Sequence, residues 1–472
     1  MTIQINNLTK DNINEYLVRP AAGVDGVVMD SVKGIVEDVI ARGDAALLEY
    51  TAKFDGVQFA ANELRVSSAE RDAGLAEVPA SVIDCLRVSA ARIRDFHSNQ
   101  IPKSWMAKED GVILGQQVNP IGRVGLYVPG GLANYPSSVL MNAIPAQIAG
   151  VPEIALCVPP DGDGKVSKYT LAAAAVIGID EIYRVGGAQA IAAMAYGTAT
   201  IKRVDKITGP GNIYVATAKK LVVGAVDIDM IAGPTEVIIV ADGQARPGFI
   251  AADMIAQAEH DPLATAILLT DNEALANAVA GALKSQLKDA ARAEIAGRAL
   301  NDRGRIYILD DSEKRPKAPD TRQTNTEARE RMRDYVTEPK RRITQQTGFS
   351  AASLELAVEF INRFAPEHLE IMTADADDWL PRIKNAGAIF LGPYTPEAIG
   401  DYVAGSNHVL PTGSTARFYS PLGVYDFIKW SSVLSFTKNA LVELGSHAVC
   451  LADAEGLEGH GRSVKLRLEE DG

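Results

Sequence analysis

The sequence predicts an α/β fold with at least two doubly wound, parallel-sheet units. From about residue 111, short apolar runs alternate with segments of helical periodicity, which is the pattern of parallel strands joined by crossover helices. These runs number nine, more than one small sheet holds. Gly-rich turns follow three of them, at 129–131, 186–189 and 209–212.

The first hundred residues are read as mainly helical. Val32, Ile35, Val36, Val39 and Ile40 recur at helical spacing, and residues 80–96 repeat the pattern through Val82, Ile83, Leu86 and Ile93. Strands are expected at 124–128, 153–158, 181–185, 204–208, 236–241, 264–270, 305–309, 368–373 and 388–391. Helices are expected between them at 169–177, 188–196, 249–258 and 354–364. Residues 310–349 break the pattern with polar and charged clusters, among them Lys314-Arg315-Pro316-Lys317 and Lys340-Arg341-Arg342. That stretch reads as an inserted, solvated excursion without a catalytic role.

A chain of 472 residues holds two to four domains at roughly 150 residues each. Hydrophobic residues make up 47% and charged residues 23%, the balance of a folding globular protein. A formal net charge of −13 repels phosphate backbones and anionic membranes, so neither nucleic acid nor membrane is an expected partner. The three cysteines, Cys85, Cys157 and Cys450, are too few and too scattered for a disulfide framework, which fits a reducing cytoplasm. Residues 1–16 are polar and lack the pattern of a signal peptide. The most apolar tract, 139–160, is interrupted by Asn142, Pro145, Gln147, Pro152 and Glu153, which is wrong for a membrane span.

Only six histidines occur, so each can be weighed. Gln257-Ala-Glu-His260 closes the helix beginning near Phe249, and its i, i+3 spacing puts amide and imidazole on one face. Imidazole is a good zinc ligand and a carboxamide an unusual one; alone, the pair is far more often a capping or surface coincidence. In Ala365-Pro-Glu-His368 a proline ends a helix just before a carboxylate and an imidazole, two groups able to take two protons near neutral pH. A surface pair is the plain alternative, and the position at a strand's amino end runs against the usual carboxyl-end site of open α/β sheets. Gly400-Asp401 through His408 offers a carboxylate, an amide and an imidazole, or an ordinary turn. Glu455 and His460 near the carboxyl terminus are solvated by default. No G-x-G-x-x-G fingerprint is present, but each Gly-rich turn can bring backbone N–H groups to a phosphate.

In order and spacing, from Arg42-Gly43-Asp44 to the last residues, these segments resemble the histidinol dehydrogenase family. The stretches that carry it are Gly125-Leu-Tyr-Val-Pro-Gly-Gly131, Val185-Gly-Gly-Ala-Gln-Ala190, Asp205-Lys-Ile-Thr-Gly-Pro-Gly-Asn212, Asp229-Met-Ile-Ala-Gly-Pro-Thr-Glu-Val237, Ala256-Gln-Ala-Glu-His260, Ala365-Pro-Glu-His-Leu369 and Gly400-Asp-Tyr402. The resemblance implies two incomplete Rossmann-like domains, small N- and C-terminal helical extensions and a domain-swapped homodimer. It implies one zinc ion per subunit on Gln257, His260, Asp401 and His460 of the partner subunit, and NAD contacts from Tyr127, Gln189 and Asn212. By the same resemblance Glu367 and His368 are the proton acceptors in the oxidation of L-histidinol through the aldehyde to L-histidine. Thr235, Gln257, His260, His368, Asp401, His408, Glu455 and His460 would line the substrate pocket.

The expected division is an arm at 1–24, a zinc and substrate domain at 25–126 plus 236–423, an NAD domain at 127–235 and a dimerisation segment at 424–472. Two departures stand out: Thr235 replaces the usual Ser, and the 310–349 insertion is extra. Relatives in the family oxidise other alcohols, such as sulfopropanediol, so that is the rival substrate. A zinc hydrolase is a further alternative, which leaves the Gly-rich turns unexplained. A non-catalytic binding or assembly protein is the third, against which the full set of acid, base and ligand candidates argues.

Overall fold

A computed structural model describes residues 3–17, 26–130, 134–309 and 349–469. The expected insertion, apart from Phe349, and Gly131 of the first Gly-rich turn lie outside the described residues. The fold is mixed α/β with two parallel sheets and one small antiparallel sheet.

The larger sheet has the order β1 (Gln4–Leu8), β11 (Arg305–Leu309), β10 (Thr265–Thr270), β9 (Glu236–Ala241), β12 (His368–Met372) and β13 (Ala388–Leu391). All its pairs are parallel. Every residue of β9 and β12 is buried, because helices cover both faces and no side of such a strand is left for polar groups. One face packs on α10 (Pro247–Ala258), α11 (Glu273–Gln286) and α12 (Ala293–Asp302), and the other on α13 (Ala351–Phe364) and Trp379.

The smaller sheet has the order β6 (Glu181–Tyr183), β5 (Glu153–Cys157), β4 (Arg123–Tyr127), β7 (Lys206–Thr208) and β8 (Asp227–Ile228), again all parallel. Helices α5 (Ala80–Ser98), α6 (Pro136–Ala149) and α7 (Lys168–Ile177) cover one face. Helices α2 (Gly26–Arg42), α8 (Gly187–Tyr196) and α9 (Ile213–Val222) cover the other.

This packing divides the chain differently from the expected grouping of 25–126 with 236–423. The apolar stripe Val32, Ile35, Val36 and Val39 of α2 is buried against Ile191 and Val215, so the helices between residues 26 and 98 belong to the smaller sheet's core. The expected arm at 1–24 also holds β1, whose parallel pairing with β11 makes it an edge of the larger sheet. Residues 105–120 were not expected to form strands. There β2 (Trp105–Glu109) and β3 (Val112–Pro120) form an antiparallel sheet with β14 (Ile428–Phe436), in the order β14-β3-β2. The chain then ends in two helices, α15 (Lys438–Ala454) and α16 (Glu458–Glu469). No helix among the described residues is long and apolar enough to cross a membrane.

Each parallel sheet has a point where strand order reverses, between β4 and β7 and between β9 and β12. In the smaller sheet the carboxyl ends at that point carry Pro129-Gly130 and Gly209–Asn212, the usual place for a ligand. In the larger sheet the corresponding place is filled. Asp242, 2% exposed, accepts there from the N–H groups of Gln244 and Ala374, each at 2.9 Å.

Candidate active site

The chemistry-bearing groups gather at the opposite, amino-terminal edge of the larger sheet. Four segments meet there: Thr235-Glu236 entering β9, the end of α10, the turn into β12, and α14 (Glu397–Tyr402) with the loop that follows. The turn into β12 is sharp because Ala365 ends α13 with φ at 51°, in the left-handed region. A non-glycine residue held there costs about 1 kcal/mol or more, and its burial in the core maintains it. Pro366 then stops the helix and places Glu367 and His368 side by side on the sheet edge.

The two residues of this pair differ in environment. Glu367 Oε2 accepts from the Glu236 N–H at 2.9 Å and from the Thr235 hydroxyl. Burial pushes the Glu367 carboxyl up to about 8, against the opposing effect of those two bonds. His368 Nδ1 lies 3.1 Å from the Glu236 carbonyl oxygen, an acceptor only, so this nitrogen carries the proton and Nε2 holds the free lone pair. Burial lowers the His368 pKa, partly offset by the Asp401 carboxylate, and so keeps the ring neutral.

Gln257 is fully buried, and its Nε2 donates to the Thr235 hydroxyl oxygen. That hydroxyl spends its own proton on Glu367, so the amide has one orientation and its Oε1 is left buried without a hydrogen-bond partner. His260, on the same helix end, keeps an open face to solvent, while the groups packed beside it lower its pKa, with the Asp401 carboxylate opposing. Asp401 acts electrostatically on His260, His368, His408 and Glu367 alike, which places it among them. His408 Nδ1 approaches the Asp401 carbonyl oxygen at 3.1 Å, and its Nε2 lies 3.3 Å from Ser138 Oγ at the start of α6.

An unpaired carboxamide oxygen, a neutral imidazole and a nearby carboxylate form a donor set that fits a borderline divalent cation such as zinc. Among the described residues no three His, Cys, Asp or Glu side chains come together at metal-ligand distance. The donor set implied by the resemblance contains only two residues of those types from this chain, His260 and Asp401. Glu455 and His460 lie on the C-terminal helices, exposed, and the single chain does not bring them to this cluster.

The loop carrying His408 joins this edge to the smaller sheet. Asn407 Nδ2 donates to the Met141 carbonyl of α6 at 2.7 Å, and Arg92 of α5 donates to the carbonyls of Val403 and Ala404 at 3.2 Å. At the Gly-rich end of that sheet, the Tyr127 hydroxyl accepts from Gly187 N–H at 3.1 Å, and burial pushes its pKa up to about 12. Gln189 is 1% exposed with Oε1 unpartnered. Asn212 is exposed and caps α9, its Oδ1 accepting from the N–H groups of Tyr214 and Val215 at 3.0 and 3.2 Å. Tyr127 and Asn212 therefore shape their turns as well as border them.

Sequence reasoning missed a second layer of carboxylates. Glu397 Oε2 lies 3.8 Å from His368 Nδ1, and the Glu397 N–H donates to Glu370 Oε1 at 2.7 Å. Burial raises both carboxyl pKa values, and Asp253 raises that of Glu370 further. The position of Glu397 four residues before Asp401 on a helical pattern was the available signal.

Two parallel α/β sheets, one with a Gly-rich reversal point and the other with a buried carboxylate–imidazole pair beside a metal-type donor set, mark the chain as an enzyme of the α/β class. Comparison with known proteins gives the particular family. The histidinol dehydrogenase profile matches residues 19–322 and 319–468. Histidinol dehydrogenase of Syntrophotalea carbinolica is 48% identical over 452 residues, covering 96% of this chain and 94% of that protein. The Rhizobium meliloti enzyme of the same name is 49% identical, covering 93% and 91%. The crystal structure of histidinol dehydrogenase from Elizabethkingia anophelis superposes with a TM-score of 0.86 at 35% identity, covering 99% of this chain and 98% of that one. The chain belongs to the histidinol dehydrogenase family, and is an NAD-dependent dehydrogenase.

Proposed function

We propose that this protein oxidises L-histidinol through L-histidinaldehyde to L-histidine, the last steps of histidine biosynthesis, in the cytoplasm and as a homodimer. The observation that carries it is the Glu367–His368 pair, two buried proton acceptors in unlike environments beside the donor set of Gln257, His260 and Asp401. Zinc, when bound by those three and His460 of the partner subunit, would orient the substrate's amine and imidazole nitrogens; NAD, when bound, accepts the hydride.

In the first step His368 Nε2 takes the alcohol proton, while Nδ1 stays on the Glu236 carbonyl and holds the ring in place. In the second, Glu367 takes a proton from the water that hydrates the aldehyde. With Oε2 held by Thr235 and Glu236, the acceptor is Oε1. Thr235, Gln257, His260, His368, Asp401 and His408 would line the pocket from this chain, joined by Glu455 and His460. Tyr127, Gln189 and Asn212 would meet NAD on the smaller, Rossmann-like sheet. The C-terminal segment exposes Trp430, Leu434, Phe436, Val442, Leu451 and Leu466, an apolar surface suited to burial against a second copy, which supports the swapped dimer.

The overall change consumes one water and two NAD per substrate. A coupled assay should therefore yield two NADH per L-histidinol; one NADH, or none, overturns the reading. Thr235 gives a second test. Thr235→Ser keeps the hydroxyl that links Gln257 to Glu367 and should retain activity. Thr235→Val leaves two buried polar groups short of a partner and should lower kcat by roughly tenfold or more. Equal kcat in both variants would remove the hydroxyl from the mechanism.

A further inference from the structure

Beneath the Gly-rich turn that follows β7 lies a buried ion pair that none of the chemistry above uses. Lys219 of α9 and Asp229, just past β8, are 2% and 5% exposed and bonded to each other. Together they hold one peptide group from both sides. Lys219 Nζ donates to the Gly209 carbonyl oxygen at 2.9 Å, and the Gly209 N–H donates to Asp229 Oδ2 at 2.8 Å.

Gly209 needs holding. Its φ is +116°, and a Cβ there would lie 2.0 Å from the Tyr127 carbonyl oxygen, so only glycine passes, and glycine is the residue least committed to any one conformation. The residues on either side are also secured: Thr208 Oγ1 donates to Asn142 Oδ1 of α6 at 2.9 Å, and Asn212 caps α9. A buried ion pair stabilises a fold no better than a well-packed apolar pair of the same volume, whereas charge-assisted bonds are short and directional. Its use here is to set geometry.

We propose that Lys219 and Asp229 are positioning residues for the dinucleotide, locking Gly209-Pro210-Gly211-Asn212 in the shape that presents the start of α9 to its phosphates. This rests on the assignment of that turn to NAD. The pair does not touch the ligand and acts through the backbone of Gly209.

The test is the double variant Lys219→Met, Asp229→Asn, which removes both charges together and leaves an acceptor for the Gly209 N–H, so that no lone charge is buried. Calorimetric Kd for NAD, steady-state constants, and amide exchange of the peptide spanning 209–215 with and without NAD are measured in native and variant enzyme. The expected result is a rise of roughly tenfold or more in Kd and KM for NAD. KM for L-histidinol should stay within about twofold, kcat at saturating NAD should fall less than KM rises, and the free variant should exchange faster at 209–215. If NAD protects this peptide in the native enzyme but a folded variant binds NAD unchanged, the positioning role is overturned and the site assignment stands. If NAD gives no protection in the native enzyme, the site assignment fails and the inference with it. Should the double variant not fold, Lys219→Arg keeps the ion pair while moving the donor to Gly209. KM for NAD should then rise about threefold at nearly unchanged kcat, and an unchanged KM overturns the role.

Discussion

Glu367→Gln is expected to oxidise L-histidinaldehyde roughly 10²–10⁴-fold more slowly than the native enzyme while retaining its zinc. The amide preserves the volume and can still accept from Thr235 and the Glu236 N–H, so the packing of β9 against β12 survives. What it loses is the ability to take a proton from water. Oxidation of L-histidinol to the aldehyde should suffer less, because the proposed mechanism gives that proton to His368 Nε2. Equal loss in both half-reactions, measured with the alcohol and the aldehyde supplied separately, breaks the division of roles.

The same variant carries a pH signature in the metal-free protein. Burial raises the Glu367 carboxyl to about 8 from an ordinary 4.5, so the folded chain binds this proton more tightly than the unfolded one. The resulting stabilisation is complete below about 4.5 and is lost as pH rises through about 8. Native metal-free protein should therefore lose Tm relative to Glu367→Gln between about pH 4.5 and 8, whereas Glu370 and Glu397, present in both, cancel. A Tm difference that does not change with pH contradicts the assignment.

His260→Asn is expected to purify without zinc and without dehydrogenase activity. The native imidazole is held neutral, the form that binds metal, by the groups packed beside it. Asparagine is shorter and offers a weaker oxygen donor, and the remaining carboxamide of Gln257 is itself a poor ligand. Metal analysis of the purified variant is the measurement, with circular dichroism to show that it is folded. Full zinc occupancy would falsify the ligand assignment.

How much of this was legible in the sequence follows from where each element sits. Strands β9 and β11 occupy the residues read from their apolar runs, because a parallel strand inside a sheet covered on both faces has little room for polar groups. Strands β1, β2, β3 and β14 escaped because each has an exposed or partly exposed side: Gln4–Leu8 is an edge, and Trp105–Glu109 is exposed throughout. Any apolar run in such strands is short, as in Trp105-Met106-Ala107 and Val112-Ile113-Leu114. The early helices were recognised as helices, but their partner was not, since the stripe from Val32 to Val39 shows that a face is buried and not against what.

The site divides in the same way. Residue types and local spacing, down to the carboxylate and imidazole after Pro366 and the amide and imidazole closing α10, were set by the sequence alone, as was the absence of a G-x-G-x-x-G fingerprint. Their convergence was decided only by the tertiary structure. Asp242 ties down the turns at the carboxyl edge of the larger sheet, and the candidate groups gather at its amino edge. Thr235 orients Gln257 across 22 residues, and Lys219 and Asp229 grip Gly209 from two elements. The physical reason is one of range: periodicity and capping act over a few residues, whereas a hydrogen bond joins whatever the packed sheets bring within about 3 Å.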